Sequence, residues 1–212
     1  MGIVVNDSQN LFMLQTRSNS YAFGIDNQGL VRHLYWGSRI NAMEDFEMPE
    51  LAEVSTNDPV YEITKEEFPV YGGLRYKEHC LKVTFADGTR DVAYEYVNYE
   101  IQKNEQCEEL VIILKDKHYA LVMELHYKIY EAYDLMERFV VLKNESTEVM
   151  QIEKLHSGQF HVPYEGLNFR NVHGHWGAEQ QKFVQKVDYG KIIFENRRGI
   201  SSHNHNPYFI LD

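Results

Sequence analysis

Apolar residues recur along this chain with a period of two. Tyr21, Phe23 and Ile25 alternate with smaller residues, and in a strand such positions share one face. Asp26-Asn27-Gln28-Gly29 follows, with the composition of a turn whose glycine takes a positive φ. The chain resumes as Leu30-Val31-Arg32-His33-Leu34-Tyr35-Trp36, which predicts a hairpin. Leu81, Val83 and Phe85 make a second apolar face before Ala86-Asp87-Gly88-Thr89. Residues 92–99, rich in Val and Tyr, are expected to return from that turn as a second hairpin.

The same pattern continues. Residues 110–114 form a short apolar strand, and Lys117-His118 a polar break. Leu121, Met123, Leu125, Tyr127 and Ile129 then alternate with Val122, Glu124, His126 and Lys128. Residues 139–142, closed by Lys143-Asn144-Glu145-Ser146, and residues 149–155 read as further strands. No stretch keeps a 3.6-residue period for three turns, and residues 131–136 have room for one helical turn. Residues 41–67 break the pattern: they are acidic, hold Pro49 and Pro59, and predict a long irregular excursion of the kind that often carries function. Many strands joined by short turns predict an all-β sandwich or barrel.

Composition narrows the function. A length of 212 residues allows one large domain or two small ones, and one domain over 1–212 is expected. A net charge of -11, with Arg197-Arg198 as its one basic cluster, argues against a nucleic-acid partner, which needs clustered Lys and Arg to neutralise phosphates. No apolar run approaches the roughly 20 residues that cross a bilayer. The N-terminus lacks a signal-peptide pattern, and Asn6 stands where myristoylation asks for Ser or Thr. A cytoplasmic protein is expected, with Cys80 and Cys107 as buried or half-buried thiols. The 15 tyrosines suit strand packing, and equally a sugar-binding surface.

Candidate chemistry is scattered. His173-Gly174-His175 with Glu179 has the outline of a two-His, one-carboxylate metal site like that of the cupins. The alternative is a turn in which Gly174 and Gly177 flank a packed Trp176. His203-Asn204-His205 offers the same choice. Glu131 with Asp134, or Glu195 with Glu179, are carboxylate pairs of the kind glycoside hydrolysis uses, set against structural pairing with Arg138 or Arg197. Nucleophile-elbow and phosphate-loop motifs are absent.

The closing stretch Glu195-Asn196-Arg197-Arg198-Gly199-Ile200-Ser201-Ser202-His203-Asn204-His205-Asn206-Pro207-Tyr208 resembles a family signature, Glu-Ser-Arg-Arg-Gly-x-Ser-Ser-His-x-x-Asn-Pro-Phe. It belongs to the N-terminal domain of glycoside hydrolase family 36, the bacterial α-galactosidases. Asn196 and Tyr208 depart from the signature. His33-Leu34-Tyr35-Trp36-Gly37, Phe68-Pro69-Val70-Tyr71-Gly72, the set Tyr127, Tyr130, Glu131, Asp134, Arg138 and Asn144, and Gly174-His175-Trp176-Gly177-Ala178-Glu179 match further family motifs in the same order.

The resemblance implies a β-supersandwich, two large antiparallel sheets packed face to face, here ending before the family's sandwich is complete. It implies cytoplasmic enzymes, commonly tetramers, that release galactose from melibiose- and raffinose-type α-galactosides. Their two catalytic aspartates lie in a (β/α)8 barrel, which this chain lacks. The chain alone is therefore expected to be inactive, to act as an accessory and oligomerisation domain, and to self-associate. No catalytic residue, metal or cofactor is implied. Tyr71, Arg75 and Lys77 fall where family members build a pocket rim or subunit interface, with Arg75-Tyr76-Lys77 in place of the family's Asp-Phe-Arg. Trp36, Trp176, Glu179, Glu195, Arg197, Arg198, Ser202, His203 and Asn206 are expected to be structural, with Arg197 and Arg198 paired to acids such as Glu179. The competing readings are a stand-alone carbohydrate-binding β-sandwich and a cupin-like metalloprotein.

Overall fold

A computed structural model describes residues 2–43, 45–48, 64–72, 78–162, 166–195, 199–200, 202 and 204–212. They form two compact units, 1–161 and 162–212. The first unit holds β1 (Ile3–Asn6), β2 (Leu11–Gln15), β3 (Asn19–Ile25), β4 (Val31–Ser38), β5 (Leu81–Thr84), β6 (Tyr94–Lys103), β7 (Glu108–Asp116), β8 (Leu121–Tyr130), β9 (Leu135–Asn144) and β10 (Gln151–Leu155). The second holds β11 (Asn168–His175), β12 (Ala178–Lys186) and β13 (Ile210–Leu211).

Strands β1-β2-β3-β4 make one antiparallel sheet and β6-β7-β8-β9 another. Their inner faces meet in a single core. Phe12, Tyr21, Phe23 and Val31 come from the first sheet, and Leu110, Ile112, Met123, Leu125 and Tyr127 from the second. Phe23 and Tyr127 stack across the core, ring centroids 4.9 Å apart. The expected all-β sandwich is present. The alternation in β8 decides its faces: Leu121, Met123, Leu125, Tyr127 and Ile129 are buried. His126 lies on the opposite face, where it bonds Glu109 and stacks on Phe139. The β1-β4 sheet is buried on both faces. Leu11, Met13 and Ala22 pack outward, under Met43, Phe46 and Met48.

The β3–β4 hairpin forms as the pattern predicts, its turn closed by Asp26, which accepts from the Gln28 and Leu30 amides. The second expected hairpin does not. The 86–89 turn is there, with Gly88 at φ 85 and Phe85 N–H bonded to Thr89 O at 2.9 Å. However, β5 pairs with β10, and the returning strand β6 pairs with β7. After the turn the backbone leaves β5: Val92 N–H bonds Tyr71 O, and Ala93 N–H bonds the Asp116 carboxylate. The chain thus changes sheets. Residues 131–133 form the expected helical turn, a 3-10 turn, and Asp134 follows it at φ 55. Of the expected 41–67 excursion, residues 44 and 49–63 lie outside the described residues.

In the second unit, β11 joins β12 on one side and β13 on the other. Phe169 stacks on Phe194 and Phe209, at 5.1 and 5.2 Å.

Candidate functional site

Residues 64–72 position the most concentrated chemistry in the first unit. The segment runs along β4, with Arg32 bridged to Glu66 and Glu67 N–H bonded to Val31 O. It then crosses to β5, with Val70 bridged to Leu81 and Tyr71 N–H bonded to Leu81 O. This path carries Glu67 into the core between the two large sheets, where it is fully buried.

Four side chains converge on Glu67. The Tyr21 hydroxyl donates to its carboxylate, with contacts of 2.6 and 2.8 Å to the two oxygens. His33 Nδ1 lies at 2.9 Å. The Tyr127 hydroxyl donates at 3.1 Å. Arg138 Nη1 pairs at 2.8 Å, and Nη2 donates to the Glu67 carbonyl at 2.6 Å. Burial, the largest single influence, would raise the Glu67 pKa, but the Arg138 charge and the hydrogen bonds from His33 and Tyr21 together outweigh it and hold it below the usual value. An ionised carboxylate only accepts, so His33 Nδ1 carries the proton of that bond. Burial, and then the Glu67 charge, pushes the Tyr21 hydroxyl well above the ordinary tyrosine value; the Tyr127 hydroxyl rises too, with burial again the largest cause.

Tyr21 lies on β3, His33 on β4, Tyr127 on β8 and Arg138 on β9. One carboxylate therefore fastens both large sheets to the 64–72 segment. The Arg138 guanidinium also stands over the Tyr127 and Phe160 rings, 5.0 and 5.3 Å from their centroids. Closed to solvent and saturated with donors, Glu67 has no route to a substrate. The arrangement is a structural clamp. A second buried group lies alongside: Arg32 pairs with Asp26 at 2.7 Å and Glu66 at 3.3 Å, and donates to Thr64.

Outside the clamp a groove of about 340 Å³ opens next to Tyr21, lined in part by Asn19, Trp36, Asp134, Leu135, Met136 and Phe160. Trp36 is 40% exposed and Phe160 46%, their ring centroids 5.6 Å apart and their planes inclined at 45°.

The residues singled out by sequence are dispersed. Tyr71, half exposed, packs edge-on against His79 and under the Lys82 ammonium. Arg75 and Lys77, the other rim candidates, lie outside the described residues. Asp134 is engaged by Ser18, through its amide at 3.0 Å and its hydroxyl; Glu131 reaches Arg39 only at 3.8 Å. Asp134 is thereby tied to the turn that precedes β3. Arg138 pairs with Glu67, an acid absent from the expected pairs.

In the second unit Trp176-Gly177 forms the tip of the β11–β12 hairpin. Gly177 has φ 80, and its amide donates to Glu179 Oε1 at 2.9 Å. Trp176 is 76% exposed, so the expected packed tryptophan is corrected: it sits at the hairpin tip. Among the described residues no group of three His, Cys, Asp or Glu side chains is arranged to hold a metal. His173 and His205 approach to 6.3 Å between ring centroids. Of the closing signature, Asn206 binds the tail to β11, its side-chain amide donating to Val172 O at 2.8 Å. Ser202 bridges His205, and Glu195 is exposed. Arg197, Arg198 and His203 lie outside the described residues. Asn171 was not foreseen; it is buried and donates to Asn206 O at 3.2 Å and to Tyr208 O.

Residues 29–212 match the model of the glycosyl hydrolase family 36 N-terminal domain. Among curated proteins, the chain is 26% identical to probable alpha-galactosidase G of Aspergillus terreus, across 94% of the chain and 29% of that protein. It is 24% identical to the bifunctional alpha-galactosidase/sucrose kinase AgaSK of Mediterraneibacter gnavus, across 100% of the chain and 25% of that protein. Among solved structures, the GH36 alpha-galactosidase AgaB of Geobacillus stearothermophilus superposes with a TM-score of 0.87 at 22% identity, over 100% of this chain and 32% of that one. The alpha-galactosidase of Lactobacillus brevis gives 0.86 at 24% identity, over 98% and 31%. The chain thus spans about a third or less of the length of the relatives it matches. With its fold and its motifs in register, the chain belongs to the glycosyl hydrolase family 36 N-terminal domain family.

Proposed function

We propose that this chain is the accessory and oligomerisation domain of a cytoplasmic α-galactosidase that hydrolyses terminal α-galactosides of the melibiose and raffinose type. The observation that carries this reading is the family match over residues 29–212, together with relatives that are named α-galactosidases and extend well beyond the matched region. The chain's own chemistry supports the division of labour. Glu67 is sealed in the core, and Asp134 is committed to a turn. Catalysis by a retaining mechanism needs two carboxyl groups facing a sugar, and that pair is assigned to a barrel.

Assembly is assigned to apolar surface. In the second unit Ile193, Ile200, Tyr208, Phe209 and Ile210 are each at least half exposed, apolar surface of the kind that association buries. The reading frame beyond Asp212 tests the domain assignment. A (β/α)8 barrel with two catalytic aspartates is expected; a stop codon there overturns it. Light scattering tests assembly: a two-fold dimer or larger species is expected, and a monomer at high concentration contradicts it. The second reading, a stand-alone carbohydrate-binding sandwich, is favoured by the exposed aromatic pair Trp36 and Phe160.

A further inference from the structure

We propose that the groove walled by Trp36, Phe160 and Leu135 is a binding site for the galactosyl ring of an α-galactoside. Three features argue for a sugar. First, two half-exposed aromatic rings meet as an open corner, centroids 5.6 Å apart and planes at 45°. Leu135, 53% exposed, adds an apolar wall. Aromatic faces carry partial negative charge, which suits the weakly positive C–H groups of a pyranose. In galactose the axial O4 gathers the hydrogens on carbons 3, 4 and 5 onto one face, and that face is what an aromatic wall accepts.

Second, the corner is fixed before any ligand arrives. Trp36 packs edge-on against Tyr21 at 6.0 Å, and Tyr21 is held by Glu67. Phe160 lies under the Arg138 guanidinium at 5.3 Å. The clamp in the core therefore sets both walls, and a preorganised site loses less free energy on binding. Third, the rim carries a fixed acceptor. Asp134 is locked by the Ser18 backbone amide and hydroxyl and by the Asn19 side-chain Nδ2 at 3.4 Å. With Thr16, Asn19 and Ser20 it gives the groove a polar edge that suits sugar hydroxyls. The volume of about 340 Å³ falls in the range of small-ligand sites, ~300–1,000 Å³. An apolar corner beside a carboxylate matches a molecule with one C–H face and a hydroxyl edge. The choice of galactose among hexoses rests on the function proposed above; the aromatic corner and its rim do not.

The chain has two tryptophans, so the variant Trp176→Phe leaves Trp36 as the sole reporter. Its fluorescence is followed in the 212-residue chain while methyl α-galactoside or methyl α-glucoside is added. A saturable change with a millimolar midpoint is expected for the galactoside, and a midpoint at least about tenfold higher for the glucoside, a difference of ~1.4 kcal/mol. Leu135→Arg, at an exposed position, and Phe160→Ala are expected to abolish the response while circular dichroism shows the fold retained. No saturable change with either sugar overturns the site. A response that survives Leu135→Arg places the sugar elsewhere and overturns it too. Equal response to both glycosides overturns the galactose assignment, while the domain's role in an α-galactosidase is still judged by the reading frame.

Discussion

Glu67 and Arg138 meet at 2.8 Å where neither side chain reaches solvent, their side-chain exposures 0% and 2%. They come from segments far apart in the chain, one on the irregular path between β4 and β5, the other on β9. Each carries hydrogen bonds beyond the pair itself: Glu67 accepts from Tyr21 and Tyr127, and Arg138 donates to the Glu67 and Gln159 carbonyls. The pair is therefore the point at which the two sheets and the connecting segment are fastened together.

Removing one partner strands the other charge in the core. Glu67→Gln and Arg138→Met are each expected to cost about 3–5 kcal/mol, read as a lowered urea midpoint with an unchanged slope. The double variant Glu67→Leu with Arg138→Met is expected to be more stable than either single change, because no charge is then left uncompensated. Additive losses in that cycle would contradict the coupling.

The hydroxyls should matter separately. Tyr127→Phe keeps the ring stacked on Phe23 and removes one donor to the carboxylate. It is expected to cost ~1.5–3 kcal/mol, the range for hydrogen bonds to charged groups. Tyr21→Phe belongs in the same range, and its ring still supports Trp36. Chemical denaturation of both variants checks this, and neutral substitutions would show that Glu67 is satisfied without them.

Stability should decline on both sides of neutrality. Burial lowers the pKa of His161 and of His79 below the ordinary histidine value of 6.5, so the unfolded chain binds more protons as the pH falls. Their contribution is present above pH 6.5 and is lost as the pH drops through the lower folded values. Glu67, also lowered, adds a further loss below about pH 4.5. Tyr21 and Tyr127 are raised, so their contribution is present below pH 10 and is lost as the pH rises through the folded values. Urea midpoints across the pH range are expected to form a plateau between these limbs, and His161→Asn to flatten the slope just below pH 6.5.

Gly72 closes the Phe68-Pro69-Val70-Tyr71-Gly72 motif at φ 139, and a Cβ there would collide with the Asp91 carboxylate. Gly72→Ala is expected to cost at least ~1 kcal/mol through strain alone, plus whatever displacing Asp91 requires. Thermal unfolding measures it. An unchanged midpoint would mean that the segment relaxes freely, and that it does not hold Glu67 in register.

How far the sequence reaches is clear from particular residues. The strict alternation of β8 foretold its buried face, because one face of that strand is core and the other carries Glu124, His126 and Lys128. The β3–β4 hairpin was legible because its turn is local. The partner of β5 was not: β10 lies far along the chain, and a local turn signal cannot reveal which sheet a strand joins. Trp176 was misread because an aromatic residue invites packing, whereas its place before Gly177 makes it a hairpin tip. Glu67 was missed altogether. Nothing beside it announces burial, and its four partners come from four strands. Arg138 and Tyr127 were visible as motif residues, but their common target emerges only when β8 and β9 lie against the 64–72 segment.

The most direct test of the account is hydrolysis of a chromogenic α-galactoside by the purified 212-residue chain. On the proposed division of labour, a folded domain whose buried carboxylate is a clamp is predicted to release no chromophore above the uncatalysed rate. Turnover that follows the chain through purification and is lost in Glu67→Gln protein that remains folded would contradict it.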